Sequence, residues 1–415
     1  MRLRLLIALA AVLLFAGFGG SAQTSQPLLG LVSRSADSMA LVRLDPLTLV
    51  PHGSLLALGD RYRSWSFAPD RSKVVFGDSS RGELLLVDAK RMRRIAVVDS
   101  VLQTASVVAT SWPAADRVYA VVETLVPSGD HDLSCCGPAK LVTVDPAAHK
   151  LLATRPLEGQ VYGVAHAAGE LVLLVGPINA LGAARLVVLG RDGGVRSFAL
   201  DGVTVGHDPY TETETEEIEH FARPGFAVAA DGSRAYLVTP GRVVEVDLAT
   251  GAASSHALAP RRALQKVPGG YDGSWRSAAW ARPGRLVVTG FDDHASIGAD
   301  GHVKVDAEPA GAALVDTRDW SMRVVDATAT YASVGSGALV VSGVRPGATI
   351  YGLDGSRRAR LFGRQFVDVV ALGHRAFVQT QAGYYAVVSL RTGAILRKVR
   401  AGEMPQPLLG AGADS

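Results

Sequence analysis

Cysteine, aromatic residues and charged residues are all scarce in this 415-residue sequence. Its two cysteines, Cys135 and Cys136, are adjacent, so within one chain they can close only a strained vicinal ring. Charged residues make up 20% of the chain and the net charge is +3, with no basic stripe of the kind that binds nucleic acid. We therefore expect a protein that does not bind nucleic acid and is long enough to bury a large core.

Recognisable catalytic motifs are also missing. The sequence contains no G-x-S-x-G nucleophile elbow, no phosphate-binding P-loop, no H-E-x-x-H zinc motif and no C-x-x-C-H haem site. After the N-terminal segment, no stretch reaches the roughly 20 apolar residues that a membrane-spanning helix needs. These absences favour a non-enzymatic protein whose body is not transmembrane.

The N-terminal residues have the pattern of a secretory signal peptide. Arg2 and Arg4 supply positive charge, residues 5–18 form an apolar segment, and Gly20-Ser21-Ala22 offers small residues for cleavage. The sequence therefore predicts a signal peptide over residues 1–22 and an extracytoplasmic mature chain, residues 23–415, that forms one domain. An uncleaved N-terminal anchor is the alternative.

The segment 225–258 shows the repeating unit of the chain. Its apolar stretches at 226–229, 234–239, 243–248 and 254–258 predict four short strands. Asp231-Gly232 and Pro240-Gly241 mark the first two turns, because glycine accepts the positive φ of a tight hairpin. The segment therefore predicts one four-stranded antiparallel meander.

The rest of the chain repeats this unit about every 35–55 residues, which is typical of a β-propeller. A single four-stranded sheet cannot cover both of its faces, so neighbouring sheets must pack on them. The unit at 28–58 lacks a first strand, which the tail around Pro407-Leu408-Leu409-Gly410 could supply. The sequence predicts an all-β propeller with eight four-stranded blades; seven blades, or a pair of β-sandwiches, are the alternatives.

The turn at 246–251, Val-Asp-Leu-Ala-Thr-Gly, recurs in degenerate form at 87–88, 144–146 and 390–393. It resembles the turns of the YVTN and quinoprotein-like (WD40-like) repeat propellers, and the resemblance extends over nearly the whole mature chain. Geometry explains these residues, because the aspartate caps the turn and the glycine takes the left-handed position. We assign them no catalytic role.

The first of three insertions, residues 125–139, contains both cysteines. One interpretation is a loop stiffened by a Cys135–Cys136 disulfide or by two free thiols. A second is a vicinal disulfide beneath a quinone cofactor, which the resemblance to quinoprotein alcohol dehydrogenases would imply, although the tryptophan that follows their repeat turns is absent here. A third is a metal site formed by Asp130, His131, Asp132 and a cysteine thiolate, at a spacing that matches no standard zinc pattern.

The second insertion, residues 205–223, is rich in acids. We name Asp208, Glu216, Glu217 and His220 as candidate metal ligands, and hard carboxylate oxygens favour Ca²⁺. Alternating Thr-Glu would place acids on one face of a strand, whereas a helical turn would bring Glu216, Glu217 and His220 together. A solvated acidic loop is the alternative to a cation site.

The third insertion comprises residues 264–280 and 291–309. Its Gly- and aromatic-rich part makes Tyr271 and Trp275 candidates for a binding surface. Asp292, Asp293 and His294 form a candidate metal trio that fits no EF-hand spacing. We interpret Trp280 as a core residue.

Regular repeats without a catalytic motif predict an exported, non-enzymatic propeller that binds a protein or a cell-envelope component through the face that carries the insertions. The alternative is a propeller enzyme, a lactonase-like hydrolase or a quinoprotein-like oxidoreductase, with a metal or quinone at the mouth of the channel. The enzyme hypothesis requires acids from the separate insertions to meet at one place, whereas the binding hypothesis does not. The sequence leaves the oligomeric state open.

Overall fold

A computed structural model describes residues 28–35, 38–59, 62–99, 105–128, 131–213, 216–258, 270–300, 303–380, 383–400 and 403–408. Within them the regular elements are strands: β1 (Leu28–Ser35), β2 (Ser38–Leu44), β3 (Pro51–Gly59), β4 (Tyr62–Phe67), β5 (Lys73–Asp78), β6 (Glu83–Asp88), β7 (Arg93–Asp99), β8 (Ala105–Ala114), β9 (Arg117–Ser128), β10 (His131–Asp145), β11 (Lys150–Leu157), β12 (Gln160–Ala167), β13 (Glu170–Gly176), β14 (Leu181–Leu189), β15 (Val195–Thr213), β16 (Glu216–Arg223) and β17 (Gly225–Val228). The second half contains β18 (Arg234–Thr239), β19 (Arg242–Asp247), β20 (Ala253–Ala257), β21 (Gly270–Arg282), β22 (Arg285–Ile297), β23 (Val303–Pro309), β24 (Ala312–Asp316), β25 (Met322–Asp326), β26 (Ala329–Gly335), β27 (Ala338–Gly343), β28 (Ala348–Gly352), β29 (Arg357–Leu361), β30 (Val367–Leu372), β31 (Arg375–Thr380), β32 (Tyr384–Ser389), β33 (Ile395–Arg400) and β34 (Gln406–Pro407).

These strands form six separate four-stranded sheets and one ten-stranded sheet. The separate sheets have the orders β3-β2-β1-β34, β4-β5-β6-β7, β8-β9-β10-β11, β17-β18-β19-β20, β26-β27-β28-β29 and β30-β31-β32-β33. The ten-stranded sheet contains two antiparallel meanders, β12–β15 and β21-β22-β24-β25, joined through β16. The structure therefore has seven sheets where eight four-stranded blades were predicted, because β16 pairs with β21 and joins two meanders into one sheet.

First strands of neighbouring meanders lie side by side. The Ser66 hydroxyl on β4 accepts a hydrogen bond from the Trp112 amide on β8 at 2.8 Å, and Ser333 on β26 accepts one from the Ala371 amide on β30 at 2.8 Å. Fourth strands such as β20 and β33 are mostly exposed. Each meander therefore runs outward from a ring of first strands, which is the arrangement of a propeller.

Aliphatic side chains fill the spaces between successive meanders. The middle strands, such as β13 with its sequence ELVLLVG, are apolar on both faces because each face contacts a different neighbour. One cluster packs Val172 and Leu186 against Leu237 and Val246 of the next meander. The last cluster packs Phe377 and Tyr385 of the final sheet against Leu44 and Leu49 of the first, so the described clusters close a circle. A pair of sandwiches is excluded by this arrangement.

The C-terminal segment completes the first sheet. Gly30 and Leu31 of β1 pair with Pro407 and Gln406 of β34, and the Leu408 amide donates to the Leu29 carbonyl at 2.8 Å. The predicted contribution of the tail to the incomplete first unit is confirmed.

Aspartate caps the repeated turn as predicted. Asp247 Oδ1 accepts hydrogen bonds from the amides of Ala249 and Thr250 at 3.0 and 2.9 Å, and Asp45 makes the same contacts in the first sheet. Hydrogen bonds from Thr250 hold the pKa of Asp247 below its ordinary value. These bonds account for the recurring aspartate without a catalytic role.

The left-handed position four residues after the cap is not reserved for glycine. Gly251 occupies it with φ 76°, but Leu49, Met92, His149 and Trp320 occupy it in other repeats at φ 53–60°. Leu49 and Met92 are buried against the preceding sheet, and Trp320 stacks on His256 of the preceding sheet with ring centroids 3.6 Å apart. These side chains join neighbouring sheets, and their packing offsets the backbone strain of about 1 kcal/mol or more.

We expect Gly251→Ala to destabilise the protein more than Gly337→Ala. Both glycines have a positive φ, but a Cβ at Gly251 would lie 2.3 Å from the Phe198 ring, whereas Gly337 has open space. The Gly337 variant should lose about 1 kcal/mol from strain alone, and the Gly251 variant a further ~1–3 kcal/mol from overpacking. Equal losses in urea unfolding would show that the left-handed turn does not pack against the neighbouring sheet.

Candidate functional site

All three insertions lie at one face of the ring. The β9–β10 and β22–β24 connections join second to third strands, and the β15–β17 and β20–β21 connections join a fourth strand to the next first strand. In antiparallel meanders these two kinds of connection share the same end of the strands. We call this end of the ring the insertion face.

The first insertion is a continuation of β9 and β10 into a long hairpin, and not the loop that was predicted. Cys135 pairs along the backbone with Leu125, and a register shift separates Cys135 from Ala139. The side chains of Cys135 and Cys136 lie outside the described part of the structure, as do those of His131 and Asp132 and the whole of Asp130. The disulfide between the cysteines therefore stays a prediction.

The second insertion is the β15–β16 hairpin, so the alternative of a helical turn is wrong. Its register places Asp208 opposite His220 and Thr211 opposite Glu217. His220 is half-buried, whereas the side chains of Asp208, Glu216 and Glu217 lie outside the described part of the structure. Cation binding at these residues stays a prediction.

The second and third insertions join through a parallel contact between β16 and β21. Ala222 pairs with Ser274, and Arg223 pairs with Trp275. The Arg223 guanidinium lies 4.6 Å from the centroid of the Trp275 ring, which is favourable because the ring face is electronegative. Trp275 also stacks on Phe291 with centroids 6.0 Å apart. β15, β16, β21, β22 and β23 thus form one continuous layer, which we call the hairpin platform.

Because Gly273 has no side chain, the β15–β16 and β21–β22 hairpins can approach each other closely. A Cβ at Gly273 would lie 2.3 Å from the Phe221 ring, so glycine is needed at this point of β21. Trp275, predicted as a binding residue, is half-buried in the platform; the side chain of Tyr271 lies outside the described part of the structure. Trp280 is 9% exposed and stacks on Tyr236 in the core, as expected.

The acids of the third insertion do not meet at one point. Asp292, Asp293 and His294 are consecutive on β22, so Asp293 faces away from the other two. Asp292 is buried and forms an ion pair with Arg276, whose Nη1 lies 2.7 Å from Oδ1. His294 Nε2 lies 3.6 Å from Glu308 Oε2, and burial raises the pKa of Asp293. Within the described residues, no group of three histidines, cysteines or acids could hold a metal ion.

Arg276 organises the base of the platform. Its guanidinium donates to the Phe291 carbonyl at 2.8 Å and to Asp292 Oδ2 at 2.9 Å, and the residue is 5% exposed. A buried ion pair of this kind is costly to break, since removal of either partner leaves an uncompensated charge. Asp292 is therefore a structural anchor in the described residues.

Sequence analysis missed Glu123, a buried acid beneath the first hairpin. Glu123 is 3% exposed on β9, and its Oε1 accepts a hydrogen bond from the Val161 amide at 2.8 Å. Burial raises the pKa of Glu123 to about 7. Its position in the apolar run Val121-Val122-Glu123 was the available signal, because a charged residue there has to face a neighbouring sheet.

Glu123 should make the stability of the protein depend on pH. Because its pKa is higher in the folded state, its contribution is present at low pH and is lost as pH rises to about 7. Relative to Glu123→Gln, the wild type should lose about 3 kcal/mol of unfolding free energy between pH 4.5 and 7. Urea unfolding of both proteins across this range measures the difference; parallel profiles would contradict a carboxyl that is protonated in the fold.

Comparison with known proteins adds the fold and no more. No family model matches the chain, and no curated relative matches it. Among solved structures it is similar to the dihydro-heme d1 dehydrogenase NirN in complex with DHE, with a TM-score of 0.57 and 14% identity over 94% of this chain and 78% of NirN. Sqt1 from Saccharomyces cerevisiae has a TM-score of 0.48 and 10% identity over 92% and 90% of the two chains, and BamB from Moraxella catarrhalis 0.39 and 13% over 91% and 84%.

At these identities a likeness carries no activity, substrate or partner from one protein to the other. No helix in the described part of the chain has the length and apolar character to cross a membrane. The four-stranded sheets, their circular packing and the closing tail agree with the repeats seen in the sequence. The chain has the fold of a β-propeller built from four-stranded antiparallel meanders.

Proposed function

We propose that this protein is a non-enzymatic binding scaffold that holds a protein or a cell-envelope component on its insertion face. The observation that carries the proposal is the hairpin platform, in which separate insertions join into one layer through the Ala222–Ser274 and Arg223–Trp275 pairs. Ordinary repeat connections need no such layer. A continuous strand surface at one end of a propeller suits a partner that is too large to enter a pocket.

The chemistry of the platform supports this role. Arginine and aromatic side chains dominate the energetics of many protein interfaces, and Arg223, Trp275 and Phe291 lie together here. Val305 on β23 is 53% exposed. The buried Arg276–Asp292 pair fixes the strands beneath them, so a partner would meet a surface that is already ordered.

We infer that the propeller has eight blades, with the ten-stranded sheet counted as two. Support comes from the hydrophobic clusters of the described residues, since each joins one four-stranded meander to the next. On this count β16 and β23 belong to insertions and not to blades.

We also propose export through the N-terminal signal peptide, which rests on the sequence pattern of residues 1–22.

We propose cation binding by the second insertion only because of the carboxylate side chains in its sequence. Asp208, Glu216 and Glu217 fall on paired strands of one hairpin, and carboxylates suit Ca²⁺.

The enzyme alternative has no comparable support, because Asp292 is neutralised by Arg276 and Asp293 faces the other way. Within the described part of the chain, no group of three histidines, cysteines or acids could hold the metal ion that this alternative places at the mouth of the channel.

Site-specific photo-crosslinking tests the proposed partner surface. A photoreactive amino acid at Val305 samples the insertion face, and one at Leu47, in the β2–β3 connection, samples the opposite face. The two positions are matched in exposure, at 53% and 51%. In cells of the source organism, Val305 should give a discrete adduct and Leu47 none.

A substitution of Trp275 shows whether the crosslink at Val305 depends on the hairpin platform. Trp275→Ala should weaken the Val305 adduct about tenfold or more, in line with the loss of an aromatic anchor at an interface, while the fold measured by circular dichroism stays the same. An adduct of equal yield at Leu47, or a Val305 adduct that is insensitive to Trp275, would contradict binding at the hairpin platform.

A further inference from the structure

A cavity of about 330 Å³ opens between the meander that ends in β25 and the sheet β26–β29. Its walls are the connection from Asp326 to Ala329, the connection from Ser342 to Gly347, and the outer strands β28 and β29. These are a fourth-to-first and a second-to-third connection, so the cavity also opens on the insertion face. Its volume falls in the range of small-molecule sites.

The rim of the cavity is fixed by backbone contacts. The Val344 amide donates to the Thr328 carbonyl at 3.2 Å, and the Gly347 amide donates to the Gln365 carbonyl at 2.7 Å. A Cβ at Gly343 would lie 2.2 Å from the Thr328 carbonyl oxygen, and one at Gly347 would lie 2.5 Å from the Leu361 carbonyl oxygen. The two connections are therefore held in place without a ligand.

Three arginines line the mouth: Arg345 from one connection, and Arg357 and Arg360 from β29. All three are exposed, and none forms an ion pair with a carboxylate among the described residues. Arg360 makes one weak contact, 3.5 Å to the Pro346 carbonyl. Elsewhere arginines at similar turns are neutralised, as Arg285 and Arg318 are by Asp316.

The floor of the cavity is polar and carries one acid. Asp326 Oδ1 accepts hydrogen bonds from the Thr328 amide and hydroxyl, both at 2.9 Å, and its Oδ2 accepts one from the Tyr351 hydroxyl at 3.2 Å. Thr349 and Tyr351 are 9% and 8% exposed. The floor thus presents hydroxyls and a carboxylate that can hydrogen-bond a ligand's own hydroxyl groups, below a mouth that carries three positive charges.

We propose that this cavity binds a small carboxylate that also carries hydroxyl groups, such as a sugar acid. The arginine forks match the planar geometry of a carboxylate and can bind it in bidentate fashion. Asp326, Thr349 and Ser342 would receive the hydroxyls of the same molecule. A cation is disfavoured by the three arginines, and an apolar ligand by the polar floor.

The site is separate from the hairpin platform, and neither proposal depends on the other. Arg345, Arg357 and Arg360 come from the connections and strands of the sheet β26–β29, whereas the platform consists of β15, β16 and β21–β23. Binding of a small acid here could fail while crosslinking at Val305 succeeds, and the reverse also holds.

Isothermal titration calorimetry of the full chain with sodium glucuronate tests the proposal. Glucuronate should bind with one site per chain, and glucose, which lacks the carboxylate, should give no heat. Arg357→Ala and Arg360→Ala should each raise the dissociation constant about tenfold, the usual effect of losing one charge-assisted hydrogen bond. Arg397→Ala, on the exposed strand β33, is the matched control and should bind as the wild type does.

Melting temperatures without ligand show whether the variants fold, and Arg360→Lys provides a gentler change that keeps the charge. Its affinity should fall between those of the wild type and Arg360→Ala, because lysine loses the fork but not the charge. Absence of glucuronate binding, or equal weakening by Arg397→Ala, would overturn the site. Inorganic phosphate that binds more tightly than glucuronate would overturn the ligand class.

Discussion

Gln406 and Pro407 pair with β1, and Leu408 is fully buried beside them against Leu29, Leu31 and Phe76. Each of the other five four-stranded sheets consists of consecutive strands, but the first sheet needs this tail. Each meander has two apolar faces, and a ring covers both only when no end is left open. Closure of the ring therefore rests on the pairing between β1 and β34 together with the packing of Leu44 and Leu49 on Phe377 and Tyr385.

Closure explains where the chain tolerates additional residues. The spaces between sheets are filled by aliphatic side chains and by turn residues such as Leu49 and Trp320, so insertions cannot enter them. The ends of the strands are the available places, and all three insertions use connections at the same end. There the β16–β21 contact, the Arg223–Trp275 pair and the Arg276–Asp292 pair convert separate hairpins into one layer. The ring thus supplies stability, and one of its faces is free to carry function.

Much of the fold could be predicted from local sequence. Strands such as β17–β20, the capping aspartates and the contribution of the tail all follow from turn residues and apolar periodicity, which act over a few residues. Merging of two meanders through β16 could not be predicted, because it depends on Gly273 meeting Phe221 from a distant hairpin. The left-handed Trp320 was also unexpected, since its strain is offset only by stacking on His256 of another sheet.

The positions of the insertions could be predicted from the sequence, but the contacts that their residues make could not. Composition identified the insertions, and the structure places them on one face. Composition could not show that Asp292 is paired with Arg276 or that Glu123 is buried against Val161. Nor could it show that one cavity is surrounded by Arg345, Arg357 and Arg360. Each of these depends on contacts between segments that periodicity treats independently.

Hydrogen exchange in a Leu408→Asp variant tests closure of the ring most directly. A charge at this buried position should detach β34, and protection should fall in β1–β3 and in the two adjoining sheets, β4–β7 and β30–β33, while β17–β20 on the far side lose less. Loss of protection confined to residues 403–408 would contradict closure of the ring by the tail, because it would show that the first and last sheets remain packed without the tail.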